Sequence, residues 1–275
     1  MARYIHHWLA AYVPLFCMLA VCFGSSSSWL LASDTDLRVG AAAVALQADD
    51  SMVIGGGILA GHARGQEGEL RVVAVVLERP GEAKVAIVAC DVLFVTRDFV
   101  DSALETIQQT TGIPPSHVLV NATHTHHAPS TAVVHGYGRD EVFVRRVRDG
   151  IVAAVQQANA KLSDTDAASE FLFRLGEEKT IGGNSRRKLP DGMITWLGPR
   201  LEQGPATGPF DPQLPVLAFR GSNGKLRALI YNHSTHTIGT RRGGVRSPGF
   251  YGLAAQELEG ELGATVCFLE GASGS

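Results

Sequence analysis

The amino-acid sequence predicts an α/β fold in which layers of mixed β-sheet are flanked by helices. From Val39 onward, β-branched apolar runs alternate with segments whose apolar residues recur every three or four positions. Some neighbouring runs are separated only by a short turn, which predicts antiparallel pairs, and others by a whole helix, which predicts parallel pairs. The expected sheet is therefore mixed.

The first strong strand signals form a predicted hairpin. Residues 70–78 (LRVVAVVLE) and 83–90 (AKVAIVAC) are rich in β-branched residues, and residues 79–82 (RPGE) between them are typical of a turn. Upstream, residues 55–57 (GGG) and Gly61 predict a mobile loop.

Two helices are predicted on either side of the next strand, residues 118–120. The first follows Thr96, which is placed to cap it, and ends at Gly112. The second runs from about Asp140 to Leu162. Their apolar faces contain, in the first helix, Phe99, Val100, Ala103, Leu104 and Ile107, and in the second Phe143, Val147, Ile151 and Val155.

In the second half of the chain, the sequence predicts fewer regular elements. Residues 180–210 are rich in Gly, Pro and Arg and are interpreted as a long functional loop. Residues 216–219 and 226–231 form a predicted strand pair, followed by a helix at 251–262 and a strand at 264–269.

Residues 1–32 are interpreted as an export signal. Arg3 gives a positive start, residues 8–23 are apolar, and residues 25–28 are small and polar. A retained membrane anchor is the alternative, although the apolar run contains Pro14 and is shorter than the roughly 20 residues that a bilayer span needs. The mature protein is expected to be exported, whether periplasmic, secreted or at the cell surface.

Composition limits the partners and the redox chemistry. The net charge of −3 with 19% charged residues offers no basic surface for nucleic acid, and no Lys-rich amphipathic segment indicates contact with a bilayer. Outside the predicted export signal, the cysteines are Cys90 and Cys267. They are expected to be buried free thiols or to form a single disulfide. The rest of the 275-residue chain is long enough for one large domain or two small ones.

Two histidine-rich segments follow predicted strands. Residues 121–130 (NATHTHHAPS) follow one strand, and an extended backbone there would place His124 and His126 on the same face. Residues 231–238 (YNHSTHTI) follow another, and only one of His233 and His236 is expected to share a site with His124. Neutral imidazoles are zinc ligands, so a metal site is predicted; the alternative is a set of hydrogen-bonded, inert histidines.

These segments resemble the neutral/alkaline (non-lysosomal) ceramidase family, in its N-terminal catalytic domain. The family motif A-T-H-T-H-[SH]-[GA]-P is similar to residues 122–129. Further segments resemble family segments in the same order, namely residues 38–43, 184–192 (NSRRKLPDG), 211–219 (DPQLPVLAF) and 268–274 (FLEGASG). The resemblance therefore covers most of residues 33–275.

The resemblance implies a zinc site with His124 and His236 as metal ligands. It implies that His126 is a catalytic residue, a donor to the substrate carbonyl or oxyanion. A third ligand from within this chain would require His126 to turn inward. His233 has no counterpart and is interpreted as a residue behind the site or at the surface, and Glu270 as an exposed acid at a strand end.

The family's catalytic serine and its glutamate and tyrosine ligands would lie beyond Ser275. We therefore expect the chain to be the N-terminal portion of a longer gene product, or a truncated copy. His127 and Ala128 stand where the best-studied members of the family have Ser-Gly, which bears on substrate specificity.

The function implied is zinc-dependent hydrolysis of the amide bond in N-acyl sphingoid lipids, releasing a fatty acid from a ceramide-like substrate. Zinc suits this reaction because it polarises a carbonyl and provides a nucleophile near neutral pH. The alternatives are an inactive remnant, a lipid-binding protein of the same fold, or a hydrolase of other N-acyl or ester compounds.

Overall fold

The structure, a computed structural model, describes residues 30–32, 37–195 and 206–274. Most of the predicted export signal lies outside these ranges, so the signal stays a prediction. In the part of the chain that is described, no helix has the length and apolar character to cross a membrane.

Strands and helices alternate along the described chain as the sequence predicts. The strands are β1 (Leu30–Ala32), β2 (Arg38–Ala45), β3 (Arg71–Arg79), β4 (Ala83–Cys90), β5 (Val118–Ala122), β6 (Ser169–Glu177), β7 (Arg187–Lys188), β8 (Ile194–Thr195), β9 (Gln213–Gly221), β10 (Leu226–His233) and β11 (Thr265–Glu270). The α-helices are α1 (Arg97–Thr111), α2 (Glu141–Ala160) and α3 (Gly249–Leu262).

The strands form two main sheets, and both are mixed. One has the order β2-β3-β4-β5 and the other β1-β6-β9-β10-β11, while β7 and β8 form a separate ribbon. The pairs β4–β5 and β10–β11 are parallel, and the other neighbours within the two sheets are antiparallel. The prediction of an α/β fold with mixed sheets is confirmed.

The four-stranded sheet is buried on both faces. On β3, Val72, Ala74 and Val76 belong to the core beneath α1 and α2, whereas Val73 and Val75 belong to the core shared with the five-stranded sheet. Successive strand residues point to opposite faces, so one uninterrupted apolar run supplies both cores.

Helix α3 covers the other face of the five-stranded sheet. Tyr251 and Ala255 of this helix pack against Tyr231 of β10 and Phe268 of β11. The layers therefore run helices, sheet, sheet, helix, and residues from early and late parts of the chain meet in the centre.

Both early helices bury the predicted faces, but their N-terminal caps differ. The Asp140 carboxylate accepts a hydrogen bond from the Phe143 amide at 2.8 Å, which is a regular N-cap. Thr96 occupies the N-cap position of α1, yet its side chain makes no capping bond. Its hydroxyl donates instead to the Asp98 carboxylate at 2.6 Å. The predicted N-cap residue is therefore correct, but its side chain does not bond to a helix amide.

Cys90 and Cys267 are both buried and unpaired. Cys90 belongs to the core beneath α1 and α2, and Cys267 to the core between the sheets. The structure therefore favours the prediction of buried thiols over that of a disulfide.

Candidate metal centre

The site lies where two parallel strand pairs end. His124 follows β5 and His236 follows β10, and each of these strands has a parallel neighbour, β4 and β11. Parallel strands present their carboxyl ends at one edge of a sheet, where α/β folds commonly bind ligands.

The backbone at His124 is not extended. His124 has φ 59°, in the left-handed region, so the face alternation predicted for residues 124–127 does not apply. The Thr237 hydroxyl donates to the His124 carbonyl at 2.5 Å and to the Thr123 carbonyl at 3.1 Å. A side chain from the segment after β10 thus stabilises this unusual turn.

His124, His126 and His236 nevertheless converge. Each offers a ring nitrogen, and these three atoms all lie within 4.8 Å of one another. The Nε2 atoms of His126 and His236 are 2.7 Å apart. His126 has turned inward, and His236 is the one histidine of its segment that joins the group, as predicted.

Backbone carbonyls orient two of the rings. His124 Nδ1 lies 2.9 Å from the Leu93 carbonyl oxygen, and His126 Nδ1 lies 2.9 Å from that of Gly56. A carbonyl only accepts, so each Nδ1 carries the proton and each Nε2 presents a lone pair. Such carbonyl partners commonly fix the tautomer of metal-binding histidines.

Burial favours the neutral form of His126 and His236. It lowers the pKa of His126 to about 4; the Gly56 carbonyl opposes this change, and the neighbouring His236 and His124 rings add to it. Burial followed by the His124 ring also lowers the pKa of His236. A neutral ring can bind a cation without first losing a proton.

His233 belongs to a different group of side chains. It is completely buried, its Nδ1 contacts the Tyr251 hydroxyl, and its Nε2 lies 3.3 Å from the Glu178 carbonyl oxygen. The burial of His233 contradicts the prediction of a surface residue, and the prediction of a residue behind the site stays a prediction.

Glu270 is not the exposed acid that its strand-end position predicts. Both carboxylate oxygens are buried. Burial raises the pKa of Glu270 to about 7, against a smaller opposing effect of the Ser273 hydroxyl. The carboxyl is outside the histidine group, because within the described ranges that group contains no acidic side chain.

Asn121 joins the two sheets just below the site. Its Oδ1 accepts a hydrogen bond from the Glu270 amide at 3.0 Å, and its Nδ2 donates to the Glu270 carbonyl at 3.4 Å. Asn121 is on β5 and Glu270 on β11, so one side-chain amide connects the edge strands of both sheets.

A cavity of about 910 Å³ adjoins His236. Part of the predicted functional loop, at Ile181–Arg186, forms one wall, and Ala272–Gly274 forms another. Apolar and polar side chains both contribute to the lining, including Ile181, Phe210, Ile238 and Phe250 with Asn184 and Asp211.

The donor set fits a divalent metal ion. Three imidazole nitrogens suit zinc and other borderline metals better than magnesium or calcium, which prefer oxygen ligands. The ring centroids of His124, His126 and His236 lie 4.7–5.0 Å from one another.

Sequence reasoning missed the groups that hold these rings, namely the Leu93 and Gly56 carbonyls and Thr237. The glycine triplet at residues 55–57 carried a usable signal, because glycine often marks a close backbone approach. A side chain at Gly56 would place its Cβ 2.4 Å from the His126 Cα. Gly56, in the loop predicted to be mobile, therefore packs directly against the site, and the mobility of the loop stays a prediction.

Comparisons with known proteins agree with this architecture. No protein-family model matches the chain, and no curated protein sequence matches it. Among solved structures, a neutral ceramidase from Pseudomonas aeruginosa is similar with a TM-score of 0.68, and a ceramidase complexed with C2 with a TM-score of 0.67. The chain has the neutral ceramidase fold.

Both ceramidase structures share 22% sequence identity with this chain and cover 88% and 86% of it, respectively. The chain in turn covers 39% and 38% of those longer proteins. The resemblance noted in the sequence is therefore confirmed for the fold of most of this chain.

Proposed function

We propose that this chain contributes a zinc site to a hydrolase that cleaves the amide bond of ceramide-like N-acyl lipids. The observation that carries the proposal is the convergence of three imidazoles beside a large cavity. The ceramidase fold supports the choice of substrate class.

His124 and His236 are the proposed metal ligands, as the sequence resemblance implies. For His126 we propose a role different from the implied donor. Its Nδ1 proton is engaged by the Gly56 carbonyl, so its Nε2 has a lone pair and no proton to give. The His126 Nε2 can therefore act as a third metal ligand, but it cannot donate a hydrogen bond to an oxyanion.

When bound, zinc acts as a Lewis acid that polarises a carbonyl and makes water a nucleophile near neutral pH. The chain's own groups supply orientation. The carbonyls of Leu93 and Gly56 fix two rings, and the cavity beside His236 offers room for a lipid with a polar head.

Metal content and hydrolysis of a short-chain fluorescent ceramide test this proposal. We expect His124→Ala and His236→Ala to lose bound zinc and turnover together, and a chelator to reproduce the loss in the parent protein. His117→Ala is the matched control, because His117 bonds to the Lys84 carbonyl outside the site and should keep both properties.

The variant His126→Ala distinguishes the two roles considered for His126, metal ligand and hydrogen-bond donor to the oxyanion. Loss of zinc with loss of turnover supports the ligand role, whereas retained zinc with lost turnover would restore the donor role. Lipid binding without turnover in the parent would favour a non-catalytic protein of this fold, and faster hydrolysis of N-acyl amino acids would change the substrate class.

A further inference from the structure

His236 lies on an irregular connection, residues 234–248, which joins β10 to α3 and is here called the ligand loop. Such a loop lacks the repeated backbone bonds of a helix or a sheet. Its conformation therefore depends on the partners that its polar groups find in other parts of the chain. The position of His236 depends on those partners in turn.

The Glu67 side chain binds two successive amides of the ligand loop. One carboxylate oxygen accepts a hydrogen bond from the Arg241 amide at 3.0 Å, and the other accepts one from the Arg242 amide at 3.3 Å. The Ser247 hydroxyl also donates to this carboxylate, and Glu67 is only 8% exposed. Hydrogen bonds to an ionised carboxylate are stronger than those between neutral groups. Glu67 therefore holds the middle of the ligand loop firmly.

Nearer to His236, the ligand loop is bonded to the segment that carries the other two histidines of the site. The Gly239 amide donates to His127 Nε2 at 2.9 Å, and the Thr237 hydroxyl donates to the His124 carbonyl. His236 thus lies between the end of β10 and a stretch that is bonded at residues 237, 239, 241 and 242. Because Thr237 also supports the left-handed turn at His124, a shift of this stretch would move two of the three histidines.

We propose that Glu67 is a positioning residue for the metal centre. Its carboxylate holds the ligand loop so that His236, and through Thr237 also His124, present their ring nitrogens to one ion. Glu67 acts through the backbone, because in the described part of the chain the group of possible ligands consists of the three histidines. The inference rests on the proposed function in one respect, that the histidine group binds a metal.

The zinc affinity of folded variants tests this role. We expect Glu67→Ala to bind zinc about tenfold more weakly than the parent, because groups that orient metal ligands typically contribute that much. Glu67→Gln keeps one acceptor oxygen and should have an intermediate affinity. Competition with a chromogenic chelator measures the affinities, at a temperature at which circular dichroism shows that every variant is folded.

Trypsin provides a second measurement, which needs no metal. Residues 241–243 (RRG) offer cleavage sites within the part of the loop that Glu67 holds, and the Arg241 side chain is 63% exposed. Cleavage of a loop in a folded protein requires local opening. We expect metal-free Glu67→Ala to be cut there about fivefold faster than the parent or more, because bonds that oppose opening are lost. Glu67→Gln should again be intermediate, as measured by peptide mass analysis.

Glu69→Ala is the matched control. Glu69 lies in the same segment as Glu67, but it is exposed to solvent. This variant should keep both the zinc affinity and the cleavage rate of the parent.

Unchanged zinc affinity in Glu67→Ala would overturn the inference. If cleavage were faster at the same time, Glu67 would hold the loop without positioning a ligand. A parent protein that binds no zinc would refute the proposed function. Faster cleavage of Glu67→Ala would then still support the hold of Glu67 on the loop, so the two failures can be distinguished.

Discussion

Gly56 is the residue on which the orientation of His126 depends most directly. Its carbonyl accepts the His126 Nδ1 proton, and its lack of a side chain allows the two backbones to meet. Any Cβ at this position would displace either the loop or the ring.

We predict that Gly56→Ala destabilises the protein by about 2–4 kcal/mol and weakens zinc binding at least tenfold, because a Cβ 2.4 Å from His126 forces the ring out of position. Urea unfolding and zinc titration measure the two effects. Gly61→Ala is the matched control in the same loop, because its Cβ would meet nothing within 4 Å. Equal behaviour of the two variants would contradict the role given to Gly56.

Glu270 provides a second prediction, on pH dependence. Burial raises the pKa of its carboxyl from 4.5 to about 7, so the native state holds the proton longer than the unfolded state. The stabilisation from this group is complete below the unfolded pKa and is lost as the pH rises through about 7. Alkaline conditions therefore leave an ionised carboxylate in a buried position, where the Ser273 hydroxyl offsets only part of the cost of burial.

Glu270→Gln should therefore gain stability relative to the parent between about pH 5 and pH 8. The upper bound is about 3 kcal/mol, and we expect about 1–2 kcal/mol because the carboxyl is incompletely buried. Urea unfolding at both pH values measures the change. Glu82→Gln, in the exposed hairpin turn, should show no such trend, and a pH-independent difference for Glu270→Gln would argue against a buried carboxyl.

At the scale of elements, the two early helices provide a natural comparison of caps. Asp140 satisfies an otherwise unpaired amide at the start of α2, whereas the Thr96 side chain makes no capping bond at the start of α1.

Asp140→Ala should reduce the free energy of unfolding by about 1 kcal/mol, the usual loss for a removed N-cap. Thr96→Ala should change it by less than about 0.5 kcal/mol, because no helix amide loses a bond. Thermal unfolding of both variants measures the difference. A larger loss for Thr96→Ala than for Asp140→Ala would show that the caps are assigned the wrong way round.

The existence of most elements followed from the sequence, because periodicity reports directly on which face of a strand or helix is buried. The hairpin of β3 and β4 and the strand pair of β9 and β10 are predicted by the turns between them. The assignment of each strand to one of the two sheets was not predicted, since a β-branched run indicates that a strand is buried but does not indicate which strand pairs with it.

Only part of the site was predicted, because the sequence displays local strand patterns but not contacts between distant segments. His124 and His236 follow strand signals that the sequence displays, and convergence of strand ends brings them together. The left-handed turn at His124 and the buried carboxyl of Glu270 depend on what distant segments place nearby. Those contacts leave no local pattern in the sequence. The general tendency of acidic residues to be exposed therefore predicted the wrong environment for Glu270.

At the scale of the whole molecule, the reactivity of the buried thiols Cys90 and Cys267 reports on the packing of the layers. Burial raises the pKa of Cys267 to about 12 and also raises that of Cys90, so neither forms a reactive thiolate in the native protein.

We predict that a maleimide labels Cys90 and Cys267 only together with global unfolding, since they lie in different layers of one packed structure. Labelling followed by peptide mass analysis, alongside circular dichroism in urea, measures the two transitions. An added exposed thiol, Leu262→Cys, should react at once as the positive control. Labelling of Cys267 ahead of Cys90 would mean that the sheets separate before the rest unfolds.

The distance along the chain between the three histidines has a consequence for the order in which the site is assembled. His126 and His236 are separated by 110 residues, and the Thr237 hydroxyl that supports the His124 turn comes later still. A ribosome adding about 5–20 residues per second needs roughly 6–20 s to cover that interval. Throughout it, the nascent chain contains two imidazoles of the group without the third, so the proposed metal site is complete only after residue 236 has been added.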